Sequence, residues 1–237
     1  MSSIHPRETL DRQIRQLFDE VLVMGSMVEG AVNDSVEALK KRDIESARRI
    51  YVGDQLINEK RYEIETQCLT TIATQQPMAT DLRIMAAIME IITELERIGD
   101  YAKGISRINM LMSDEPLVKP LIDIPRMAEL GLDMLKRALE AFVNQDAETA
   151  RKIPKEDDIV DALYNQVYLE LLTHMIADPG TIDRSNYLIW VAHNLERMSD
   201  RVTNICERIV FVVTGDILEL DISDDEMRDK FYEKITD

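Results

Sequence analysis

Apolar residues recur every three or four positions along most of this chain. In one stretch they fall at Ile88, Ile91, Leu95, Ile98, Ala102 and Ile105. A second stretch places them at Ile189, Leu195, Met198, Val202, Ile205 and Ile209, with Trp190 beside the stripe and assigned to the core. That spacing is the period of an α-helix with one face buried. Read through the whole chain, it predicts helices over 8–41, 44–74, 81–112, 124–144, 147–177 and 184–213. Asp43 and Asp146 stand at the predicted starts of the second and fifth helices. A carboxylate there accepts from the open N–H groups of the first turn, and Glu45 and Glu148 suit the positive end of the dipole. Pro77 and Pro179 mark breaks, since a proline lacks the N–H that a helix interior needs. A short last helix is predicted over 224–234.

The pattern occurs twice. Asp43-Ile-Glu-Ser-Ala-Arg-Arg-Ile50 matches Asp146-Ala-Glu-Thr-Ala-Arg-Lys-Ile153 at five of eight positions. Leu95-Glu-Arg-Ile-Gly-Asp100 matches Leu195-Glu-Arg-Met-Ser-Asp200 at four of six. Between them, Asp54-Gln-Leu-Ile-Asn58 corresponds to Asp157-Asp-Ile-Val-Asp161. Three blocks in one order indicate a duplicated unit. The expectation is an all-α fold of two tandem antiparallel three-helix bundles: residues 1–113, a proline-bearing linker at 114–125 with Pro116, Pro120 and Pro125, and residues 126–237.

Composition narrows the function. The net charge is −17, from 28 Lys+Arg against 45 Asp+Glu. Nucleic-acid binding needs clustered cations, so nucleic acid is not an expected partner. Docking on anionic lipid is disfavoured for the same reason. No run of about 18 apolar residues is present, so no direct membrane insertion is expected. Cys68 and Cys206 read as buried free thiols of a reducing, cytoplasmic protein. The 13 Met residues read as core packing. No glycine-rich phosphate loop or nucleophile elbow appears.

The candidate chemistry lies in paired carboxylates. Glu96 and Asp100, and again Glu196 and Asp200, sit one helical turn apart. Asp54 with Asn58, and Asp157 with Asp161, have the same spacing. Like charges at this distance cost an isolated helix about 0.2–0.5 kcal/mol. A cost repeated in both copies calls for a compensating cation. If the second and third helices of each copy pack side by side, four oxygen-bearing side chains share one shallow outer groove. Gly99 and Ser199 are small enough to leave room. Oxygen donors suit Mg, Ca or Mn and tolerate iron or zinc. Acidic residues at this spacing also serve as a solvated face or as arginine partners, and Arg97 and Arg197 adjoin the motifs. His193, three residues before Glu196, His5 and His174 read as ordinary histidines.

Asp81-Leu-Arg83, the two Leu-Glu-Arg-x-x-Asp segments and Asn204-Ile-Cys-Glu207 resemble the PhoU family over residues 8–215. The resemblance implies multinuclear metal clusters, with iron or zinc, at Glu96, Asp100, Glu196 and Asp200, joined by Asp54, Asn58, Asp157 and Asp161. Asn58 stands where an Asp often occurs, which weakens the first site. The resemblance further implies a homodimer that represses phosphate uptake and phosphate-starvation signalling. In that role it is a non-catalytic adaptor between the ATPase of a phosphate ABC transporter and a sensor histidine kinase. Two other readings remain beside it: a carboxylate-bridged metal-dependent enzyme on a helical bundle, and a metal-free helical spacer.

Overall fold

The computed structural model describes residues 6–112 and 115–220; the helix expected at 224–234 and His5 lie outside them. Every regular element among the described residues is helical. The order is α1 Pro6–Lys41, α2 Ile44–Gln75, α3 Thr80–Met112, α4 Asp123–Asn144, α5 Ala147–Ala150, α6 Asp157–Ala177 and α7 Ile182–Thr214. The first three form one bundle, and the last four form another.

Helix α1 buries Leu10, Ile14, Leu17, Val21, Met24 and Val28, at alternating intervals of four and three. A 3.5-residue repeat keeps one seam facing its neighbours at a shallow crossing angle. Each such side chain removed from water contributes about 1.5–3 kcal/mol. On α3 the whole predicted stripe, Ile88 through Ile105, is buried. On α7 the stripe enters through Leu188, Val191 and Ala192 rather than through Ile189. Trp190 therefore points away from it and is 61% exposed, contrary to its assignment to the core.

Asp43 caps α2 by accepting from Ser46 N at 2.9 Å. Asp146 caps α5 by accepting from Glu148 N and Thr149 N, both at 3.0 Å. The tight turn between α1 and α2 places Arg42 in the left-handed region at φ 58°. Buried Asn109 of α3 holds this turn: it accepts from Arg42 Nη1 at 3.3 Å and donates to Asp43 O at 3.4 Å.

The predicted helix over 147–177 is broken. Four residues of α5 are followed by a 3-10 turn over Ile153–Glu156, and α6 starts at Asp157. Pro154 is the cause, because it lacks the N–H for the bond to residue 150 and its ring crowds that carbonyl. Pro125, expected in the linker, falls instead in the first turn of α4, where its missing N–H costs nothing.

The two bundles share one continuous core. Helix α3 packs along α7, and α1 packs on α4. The α1–α4 contact is apolar, with Phe18 edge-on to Phe142 at 5.0 Å. The α3–α7 seam is polar. Glu94 receives Arg201 at 3.4 Å and Asn204 at 3.3 Å, and Glu90 pairs with Arg208 at 3.1 Å. Gly104 of α3 meets the Asn194 side chain of α7.

Candidate functional site

In the first repeat the predicted residues meet between α2 and α3. Asp54 lies on the inner side of α2, only 5% exposed, so it is not on a shallow outer groove as expected. Gly99 of α3 is buried opposite it. A Cβ on residue 99 would come within 3.1 Å of Ile57 Cδ1 and 3.7 Å of Asp54 Oδ1, so glycine lets the helices approach here. Asp54 Oδ2 accepts from Lys103 Nζ at 2.6 Å and from Asn58 Nδ2 at 3.1 Å. The same ammonium lies 3.7 Å from Asp100 Oδ1 and 5.7 Å from the centre of the Tyr51 ring. Asp54 Oδ1 is buried and accepts no hydrogen bond.

The charges act on one another. Glu96 is held above the usual carboxylate range by burial first and by Asp100 next, against a smaller opposing pull from Arg61. Asp100 is raised by burial and by Asp54, with Lys103 working the other way. Arg97 turns aside and pairs with Glu94 at 2.9 Å.

In the second repeat the acids meet between α6 and α7. Asp157 opens α6 and is 8% exposed. Glu196 is pushed up to about 7, by burial first and then by Asp200, Asp161 and Asp157, with Arg197 opposing. Asp157, Asp161 and Asp200 thus all lie within electrostatic reach of Glu196. Glu196 Oε2 is buried and accepts no hydrogen bond; His193 Nδ1 is 3.2 Å away, outside hydrogen-bond geometry. The His193 ring lies 5.9 Å from that of Tyr164. Ser199 is buried and donates to the Glu196 carbonyl at 2.7 Å, closing on its own helix. Arg197 is drawn over the Tyr101 ring, 5.6 Å from its centre.

The acids are neighbours without forming a finished cage. Among the described residues, no group of three or more His, Cys, Asp or Glu stands at metal-ligating positions. A cation would have to draw the side chains inward.

The two clusters differ in what the chain supplies. By the repeat offsets, Lys103 corresponds to Thr203, Tyr51 to Pro154, Arg61 to Tyr164 and Asn58 to Asp161. The first cluster holds three carboxylates, two of them paired with a lysine. The second holds four, and Thr203 stands at the position of Lys103. Motif reading missed Lys103, and it read His193, three residues before Glu196, as an ordinary histidine. Extending the repeat alignment three residues past Asp100 would have exposed the first difference.

Duplicated helical bundles with matched acid clusters between their second and third helices define a class of two-repeat, all-helical proteins. The comparisons give the family. The PhoU domain matches this chain twice, over residues 21–108 and 124–209, and the chain belongs to the PhoU family. It is 37% identical over 215 residues to a phosphate-specific transport system accessory protein PhoU homolog of Caulobacter vibrioides, covering 90% of this chain and 94% of that one. The corresponding Aquifex aeolicus protein is 34% identical over 210 residues, covering 89% and 95%. The crystal structure of PhoU from Pseudomonas aeruginosa superposes with a TM-score of 0.82 at 32% identity, covering 87% of this chain and 99% of that one.

Proposed function

We propose that this chain is a negative regulator of phosphate uptake and of phosphate-starvation signalling. In this reading it works in the cytoplasm as a homodimeric, non-catalytic adaptor between the ATPase of a phosphate ABC transporter and a sensor histidine kinase. The observation that carries it is likeness over nearly the full length of relatives named as phosphate transport accessory proteins. No helix among the described residues is long and apolar enough to cross a membrane, which suits a part that docks on a transporter.

The donors present in the second repeat fit a cation. Asp157, Asp161, Glu196 and Asp200 are the proposed ligands, and the buried Glu196 Oε2 still has acceptor capacity. An imidazole beside an oxygen-rich set suits iron or zinc as well as Mn. A bound cation would neutralise the mutual repulsion of these carboxylates and fix α6 against α7.

Affinity capture from phosphate-replete cells tests the adaptor role. The transporter ATPase and the sensor kinase are expected in the same eluate, and a phosphate-starvation reporter is expected to be derepressed when the chain is deleted. An unchanged reporter with neither partner captured would overturn the reading.

A further inference from the structure

We infer that Lys103 is the resident cation of the first acid cluster, so that this half of the molecule carries no metal. The sequence calls for a compensating charge wherever carboxylates are stacked on adjoining turns. In the first repeat that charge is already present. The Lys103 ammonium lies 2.6 Å from a carboxylate that is 5% exposed, and it reaches Asp100 as well. Tyr51 adds the negative face of its ring on the same ammonium. Asn58 contributes an N–H donor to Asp54, where the second repeat has a carboxylate.

A metal entering this cluster would have to expel Lys103 from Asp54. It would then sit beside the displaced ammonium, and would find an amide where a fourth carboxylate should be. Like charges held a few ångströms apart in a half-buried site oppose each other strongly. Breaking a pair whose acid is buried also leaves that acid without its main partner. In the second repeat Thr203, Pro154 and Asp161 stand in place of Lys103, Tyr51 and Asn58. The duplicated unit has thus diverged into a half closed by Lys103 and a half that lacks that lysine.

The metal count rests on the reading of the second cluster given above; the lysine lock does not, so each receives its own readout. The first measurement is acylation of Lys103 by an amine reagent, followed by mass spectrometry, on the full metal-free chain and after loading with manganese alone. Labelling of Lys103 is expected to stay low and unchanged on loading. A rise would mean that metal expels the lysine, and would overturn the lock.

The second measurement is bound manganese per chain. Glu96→Gln with Asp100→Asn is expected to leave the wild-type load unchanged, whereas Glu196→Gln with Asp200→Asn is expected to abolish it. Lys103→Met, and Lys103→Gln as the variant that still donates to Asp54, are expected to take up additional metal. That gain should disappear when Glu96→Gln and Asp100→Asn are added. Loss of wild-type load in the first-repeat variant, or no gain in a folded Lys103 variant, would overturn the inference. A wild type that binds no manganese would overturn the metal reading of the second repeat. A gain on Lys103→Gln in that same case would still uphold the lock.

Discussion

Glu196 and Asp54 show how one residue type takes two characters within one chain. Asp54 is buried against an ammonium. Glu196 is half-buried among acids, and burial first and those acids next push it up to about 7. Because its folded pKa lies above its unfolded value, ionising Glu196 works against folding. That cost is absent below the ordinary carboxylate range and grows as pH rises through about 7. In metal-free protein, Glu196→Gln should therefore stabilise by roughly 1–3 kcal/mol at pH 8 and by little at pH 4.5. Denaturant unfolding at the two pH values checks this, and an equal gain at both would refute it. The thiols give a second residue-scale test. Burial pushes both Cys68 and Cys206 up to about 12, so neither forms much thiolate. A disulfide-exchange reagent at pH 8 should leave both unreacted in the native protein and titrate both after denaturation.

At the scale of elements, the helices were legible because their apolar period is regular and their ends carry Asp caps. The sites were only half legible. The acid pairs could be read from spacing of four within a helix, but the pairing of Lys103 with Asp54 could not. A lysine three residues after an aspartate looks like an exposed surface pair. Its importance comes from Asp54, 49 residues earlier on another helix. Burial of Asp54 and Asp157 was hidden for the same reason, since it depends on how closely α2 approaches α3 and α6 approaches α7. The broken second helix of the second repeat had a visible signal in Pro154. The broken segment is tied to α4 by Arg137, whose Nη1 and Nη2 donate to Glu156 Oε1 and Oε2 at 2.8 and 2.5 Å. Arg137→Met keeps most of the stem and loses the fork. It should destabilise by about 0.5–1.5 kcal/mol, a partly exposed but two-pronged ion pair being worth that much. Urea unfolding would measure it, and Arg137→Lys should recover only part of the loss.

The whole molecule is governed by the contacts between its halves. Gly25 of α1 lies against Leu139 of α4, and a methyl group at residue 25 would collide with Leu139 Cδ1. Leu139 is buried and has little room to retreat. Gly25→Ala should cost about 1–3 kcal/mol by overpacking, and Leu139→Val added to it should restore part of the loss. Calorimetry should show one unfolding transition for the wild type, because the core is continuous across the halves; two separated transitions would contradict that continuity.

The α3–α7 seam carries a last consequence. Glu94 meets Asn204 while Asn194 meets Gly104, so position 94 touches 204 and position 194 touches 104. That reciprocity belongs to the mating surface of a symmetric pair. The connector over 115–122 therefore acts as a tether between two pseudo-identical partners, sparing them the entropy of finding each other. Cut there and produced as separate chains, the halves should reassemble only above a threshold concentration, with a melting temperature that climbs with dilution reversed.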